Sequence, residues 1–139
     1  MRQIILHIII GILLFLPAAC STGSASGESR SLYPYLETDK LLELTQYPEP
    51  EIRIIDVRSA EAYAKGHIPT AVNIPSAEIM KRLKELKKSQ YLIFYCESGG
   101  QAHRVMEQLK DKGYTRMLNW GAFSRWPYAS SSTIQSSGI

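Results

Sequence analysis

Apolar and polar positions along this chain follow two periods. Ile52 to Val57, IRIIDV, is a short run rich in β-branched residues, the pattern of a strand buried on both faces. Ala71 to Ile74, Gln90 to Tyr95 and Thr115 to Leu118 read as three further strands. Between them the spacing becomes helical. Thr38 or Asp39 caps a short helix carrying Leu41, Leu42 and Leu44. Ser59 caps a second, SAEAYAK, that stops at Gly66. Ser76 opens a third, with Ile79, Leu83 and Leu86 on one face and lysines on the other. Gln101 to Lys112 is helical with Val105, Met106 and Leu109 facing inward and Gly113 at its end, and Ala122 to Trp126 forms a last turn. Strands and helices alternating with short links predict an α/β domain, a parallel sheet covered by helices on both faces.

Both ends of the chain depart from this pattern. Arg2 precedes an apolar run from Ile4 to Leu16, broken by His7 and Gly11 and followed by Ala18, Ala19 and Cys20. The run falls short of the roughly 20 residues a spanning helix needs, so it reads as an export signal, with a membrane anchor as the alternative. LPAAC, residues 16 to 20, resembles a bacterial lipobox, in which the cysteine becomes the lipidated first residue; Pro17 stands where the motif usually has Leu. Ordinary cleavage would instead release a soluble periplasmic protein. STGSASGESRS, from Ser21 to Ser31, is small and polar and reads as a flexible tether. ASSSTIQSSGI, from Ala129 to Ile139, reads as a disordered tail. The expected organisation is a signal peptide over 1–19, a tether over 20–31, a folded domain over 32–128 and a tail over 129–139. It places the domain in a bacterial cell envelope, facing the periplasm and held to the membrane by a lipid on Cys20.

Composition adds little beyond this. The chain has 139 residues, 45% hydrophobic and 21% charged, enough for one core. A net charge of +3 without a clustered basic stripe argues against a nucleic-acid partner. The two cysteines, Cys20 and Cys96, could form one disulfide. If Cys20 is acylated, however, Cys96 is an unpaired thiol in an exported protein, and so a candidate reactive group.

YCESGGQAHRV, residues 95 to 105, sets Cys96 between a strand and a helix. Ligands bind at the carboxyl ends of strands in such sheets. A helix amino terminus presents backbone N–H groups and a dipole that favour negative charge, and so favour a thiolate. Gly99 and Gly100 suit a tight turn closing around an anion. On this reading Cys96 is a nucleophile and the loop amides stabilise it. The alternative is an inert buried cysteine.

Three stretches now resemble the single-domain rhodanese, or sulfurtransferase, family. IIDVRSAEAYAKGHIPTAVNIP, residues 54 to 75, is similar to its amino-terminal signature; YCESGGQA is similar to its active-site strand and six-residue loop; KGYTRMLNWGAFSRW, residues 112 to 126, is similar to its closing segment. The resemblance implies a three-layer α/β fold with a five-stranded parallel sheet. It implies a ping-pong reaction in which Cys96 takes a sulfane sulfur from a small donor such as thiosulfate and passes it to cyanide or a thiol. The amides of Glu97, Ser98, Gly99, Gly100 and Gln101 are then expected to surround that sulfur. No metal and no organic cofactor are implied. Asp56, at a strand end, is expected to cap the following turn, and Arg58 to pair with Glu61, both in structural roles near the site. His67 is expected to be a satisfied structural histidine, and Trp120 and Trp126 core or pocket-wall aromatics.

The loop departs from many thiosulfate-using relatives: it carries Glu97 and no basic residue. Arg104 on the following helix is the nearest candidate cation in sequence. A phosphatase or arsenate reductase needs an arginine clamp, usually six residues after the cysteine, and that position is Ala102. A third reading is a tethered persulfide carrier or binding module with little turnover.

Overall fold

Four of the predicted runs form one parallel sheet. The structure, a computed structural model, describes residues 30–131. Its strands are β1 (Ile52–Asp56), β2 (Val72–Asn73), β3 (Tyr91–Cys96) and β4 (Met117–Ala122), in the order β2-β1-β3-β4. Helices α1 (Thr38–Gln46), α2 (Ala60–Lys65) and α3 (Gly100–Asp111) complete the α/β fold. The signal segment, Cys20 and most of the tether lie outside the described residues, as does the tail beyond Ser131.

The two-residue period of β3 divides the core. Tyr91, Ile93 and Tyr95 pack with Ile54, Leu41, Leu44, Ile68, Trp120 and Trp126 on one face. Leu92, Phe94 and Cys96 pack with Ile55, Val57, Ile79, Leu86, Val105 and Leu109 on the other. All six residues of β3 are buried, as a parallel strand covered on both sides requires. Cys96 thus ends the central strand on the face that α3 covers.

The expected fifth strand is absent from the described residues. A single turn of 3-10 helix at Tyr33–Leu36 lies against β4 instead. Pro34 stands within it and has no N–H to give a ladder. The expected helix from Ser76 is also different. It is two 3-10 turns, Ile79–Lys81 and Leu83–Glu85. The Tyr114 hydroxyl takes the carbonyls of Leu83 and Leu86 at 3.2 and 2.9 Å, and Arg53 donates to Glu85 O. Carbonyls that a continuing α-helix would use internally are thereby captured from outside.

Smaller corrections fall at element ends. Glu37, not Thr38 or Asp39, precedes α1, without a side-chain cap. Ser59 caps α2 as expected, accepting from Ala62 N–H at 3.2 Å, and Gly66 closes it. β4 runs further than Leu118, through Trp120 to Ala122, because a bulge intervenes: Asn119 pairs with Phe94 and Gly121 with Tyr95, leaving Trp120 as the extra residue. The expected last turn is a 3-10 turn at Phe123–Arg125. Beyond it, Ser131 exchanges backbone hydrogen bonds with His67 at 2.9 and 3.0 Å.

Candidate active site

The end of β3 delivers Cys96 to a turn that glycine makes possible. Gly99 has φ +87° and ψ −21°, the left-handed region that L side chains avoid. This conformation turns the chain back into α3 and aims the Gly99 N–H at Cys96 Sγ, 3.0 Å away. A β-carbon at this position would lie 3.3 Å from Gly121 Cα, so the approach of the two segments also needs a hydrogen there.

A second residue fixes the turn from β4. Asn119 Nδ2 donates to Gly99 O at 3.0 Å, and Asn119 Oδ1 accepts Gly121 N–H at 3.0 Å. The β4 bulge and the cysteine loop are therefore pinned together through one amide. Asn119 was not among the residues expected at the site. Its signal in the sequence is slight: one polar residue in the apolar run of β4, just before Trp-Gly.

Among the loop amides, Gly99 alone donates to Cys96 Sγ within the described residues. The N–H groups of Glu97, Ser98, Gly100 and Gln101 reach neither the sulfur nor any other protein acceptor there. They are the free donors of a helix start, with Gly100 and Gln101 in the first turn of α3. Cys96 itself is 1% exposed and its thiol is free of any disulfide. Ile55, Val57, Phe94, Ala102 and Val105 are in its cluster. The sulfur is therefore at the floor of the loop, apolar behind and hydrogen-bonded in front. The cleft of about 430 Å³ lined by Arg30, Tyr35, Leu44, Tyr47 and Glu49 is elsewhere, toward the amino end of β3.

The two residues expected near the site form a buried pair. Asp56 ends β1 fully buried, and its Oδ1 accepts Arg58 N–H at 2.8 Å, capping the turn as expected. Arg58 Nε and Nη2 donate to the same carboxylate at 3.0 and 2.7 Å, and Nη2 also donates to Gly66 O at 2.7 Å. The guanidinium lies 4.0 Å over the Phe123 ring. Burial works against the charge of Arg58, but the hydrogen bonds and charge of Asp56 outweigh it and raise its pKa.

The expected pairing of Arg58 with Glu61 is not formed. Arg58 turns back along the strand to Asp56, and Glu61 pairs with Lys65 at 2.6 Å on the exposed face of α2. The remaining nitrogen, Arg58 Nη1, lies 3.7 Å from Glu97 Oε2, and Glu97 is 75% exposed. Arg104 is exposed on α3 and enters no ion pair among the described residues.

His67 is buried with Nδ1 2.9 Å from Tyr63 O and its ring stacked 3.7 Å from that of Tyr63. These partners and its backbone bridge to Ser131 give it the structural role expected. Tyr95 holds the same corner, its hydroxyl accepting Ile68 N–H at 3.1 Å. Burial first, then the Asp56 charge, pushes that phenol far above its ordinary range. Trp120 and Trp126 are buried and meet edge to face at 6.3 Å. Among the described residues no group of three or more His, Cys, Asp or Glu side chains converges as a metal site would require.

Comparison with known proteins locates this arrangement. The profile of the family described as "Rhodanese-like domain" matches residues 37–127. A Bacillus subtilis protein with "sulfur carrier protein" in its name is 31% identical over 97 residues, which are 70% of this chain and 52% of that protein. The human thiosulfate:glutathione sulfurtransferase is 32% identical over 89 residues, covering 53% of this chain and 77% of that enzyme. Among solved structures, an Escherichia coli rhodanese with anions superposes with a TM-score of 0.54 at 30% identity, over 58% of this chain and 98% of that one. The chain thus spans about half the length of the sulfur carrier and over three quarters of the human enzyme.

Proposed function

The chain belongs to the rhodanese-like domain family, and from that premise we propose that it is a sulfurtransferase working through a persulfide on Cys96. In the first half-reaction the Cys96 thiolate attacks the outer sulfur of a donor. With thiosulfate, the donor S–S bond breaks, a new S–S bond forms at Sγ, and the electron pair leaves with sulfite. In the second, cyanide or a thiolate attacks the outer sulfur of the persulfide. The electron pair of that S–S bond returns to Sγ, releasing thiocyanate or a new persulfide. Charge balances in each step and no oxidant is needed.

The observation that carries the reading is the Gly99 N–H aimed at Sγ at 3.0 Å. It is a fixed donor on the atom that bears charge. The unused N–H groups of Glu97, Ser98, Gly100 and Gln101 stand around the same loop and are suited to the terminal sulfur and the departing anion. Asp56 and Arg58 stand at the end of β1, with Arg58 Nη1 3.7 Å from Glu97 Oε2 of the loop. Ala102, fully buried at the sixth position after the cysteine, offers no clamp for a phosphoryl or arsenyl oxyanion. The test is thiocyanate production from thiosulfate and cyanide by the purified protein and its Cys96→Ser variant. Wild type is expected to turn over and the variant to fall to background; equal rates would remove Cys96 from the chemistry.

The depth of Cys96 favours a second reading, a carrier that holds the persulfide for a partner and turns over slowly with small molecules. A stable gain of about 32 Da on Cys96, the mass of one sulfur atom, with weak thiocyanate production would select it. Either function would operate at the membrane through a lipid on Cys20, on the periplasmic side of a bacterial envelope. Intact-mass analysis of the protein isolated from cells reads that modification directly.

A further inference from the structure

The ion pair between Arg58 and Glu97 has no structural need that its neighbours leave unmet. Arg58 is already fixed by Asp56 through Nε and Nη2, by Gly66 O, and by the Phe123 ring. Val57 N–H donates to Tyr95 O at 3.1 Å, so Arg58 stands directly beside the Cys96–Glu97 peptide. Nη1 is the guanidinium nitrogen that no backbone group or buried carboxylate takes. The group facing it is the Glu97 carboxylate, 3.7 Å away on a side chain otherwise in solvent.

The charges around the loop follow from this. Within this group Asp56 and Arg58 cancel, and Glu97 adds one negative charge beside Nη1. Arg125, near the β4 turn, keeps its charge but directs Nη1 to Trp120 O and Nη2 to Leu36 O at 3.0 Å. Arg104 is exposed and unpaired among the described residues. A donor approaching the loop therefore meets the exposed Glu97 carboxylate beside Arg58 Nη1, a nitrogen with no other acceptor among the described residues.

We propose that Glu97 is a specificity-determining charge filter, holding Arg58 Nη1 away from incoming anions and selecting singly charged or neutral sulfur donors, such as alkyl hydropersulfides, over dianionic thiosulfate. The proposal rests on the sulfur-transfer reading for its substrates, but the filter itself is a property of access to Cys96. With a hydropersulfide, the donor S–S bond breaks, the outer sulfur bonds to Sγ, and the electron pair leaves as the parent thiolate. Repulsion of a dianion by one carboxylate at this range is worth several-fold in rate and is screened by salt.

Glu97→Gln keeps size and removes charge. Its expected effect is a several-fold rise in kcat/KM for thiosulfate, mostly through KM, with less than twofold change for cysteine hydropersulfide. The wild-type thiosulfate rate rises with ionic strength and that of the variant does not. Glu97→Asp keeps the wild-type preference. A second measurement needs no turnover: the rates at which iodoacetate and iodoacetamide alkylate Cys96. Their ratio shifts toward iodoacetate several-fold in Glu97→Gln. Unchanged donor preference together with an unchanged alkylation ratio would overturn the filter. Equal turnover by Cys96→Ser would instead end the sulfur-transfer reading and leave the alkylation ratio to decide on Glu97 alone.

Discussion

Gly99 does two things that no other residue type does at its position. Its φ of +87° aims an N–H at the sulfur, and its missing β-carbon lets Gly121 approach. Gly99→Ala is expected to lower stability by about 1–3 kcal/mol, since a left-handed alanine and a 3.3 Å backbone contact are both imposed. Urea unfolding followed by circular dichroism measures this. Gly100→Ala is the control, because φ is not positive there and the added carbon would meet only Ser98 Oγ at 4.0 Å. At this scale the sequence was informative where the backbone dictates the residue. A strand, a cysteine and paired glycines before a helix pattern already located the turn. Arg58 was less legible. Its partner depends on which way a long side chain folds, and spacing along α2 favoured Glu61 while the buried Asp56 prevailed. Asn119 was invisible for a related reason: its role lies in a contact with residues 20 positions away.

Element boundaries show what tertiary contacts do to local preference. The spacing of Ile79, Leu83 and Leu86 is helical, and Ile79 and Leu86 are indeed buried. The backbone between them is nevertheless two 3-10 turns, because side chains from elsewhere take its carbonyls. Tyr114→Phe tests this. It removes the hydroxyl from the carbonyls of Leu83 and Leu86 while leaving the ring packed in its cluster. The expected loss is about 1–2 kcal/mol, the range for buried acceptors left without a donor. A fall in the urea midpoint with an unchanged slope is the signature. A variant as stable as wild type would mean that the two turns are set by their own sequence. The bulge in β4 belongs to the same class. One extra residue at Trp120 carries the strand past its expected end and brings Gly121 under the loop, and no two-residue period announces it.

Across the whole molecule, the segment that enters the domain and the sulfur that ends β3 sit at opposite ends of one strand. Arg30 N–H donates to the Tyr91 hydroxyl at 2.9 Å, and Tyr91 opens β3 while Cys96 closes it. Six strand residues separate the two ends by about 17 Å. A lipid on Cys20, as proposed, would therefore hold the domain by the end away from its site. The lock at that end is a triad: Arg30 and Glu49 form an ion pair, and the Tyr35 hydroxyl bonds Glu49 at 3.0 Å and accepts from Arg30 at 2.8 Å. The Arg30 hydrogen bond, and secondarily Tyr35, hold the Glu49 carboxyl below its ordinary range. A carboxyl depressed in the folded state contributes stability that is fully present above its unfolded pKa of about 4.3 and is lost as pH falls through the folded value. Glu85 beside Arg82 and Glu61 beside Lys65 are depressed in the same sense, so Glu49 supplies one part of the acid sensitivity. Both partners of the Arg30–Glu49 pair are partly exposed, which keeps that part under about 1 kcal/mol. Glu49→Gln is thus expected to lower the urea midpoint slightly at pH 7. The gap from wild type should close as pH falls below about 4.3 and through the lower folded value, where Glu49 becomes protonated in both states. A gap that stays constant over that range would assign the loss to packing at Tyr35 and leave the entry segment held by something other than charge.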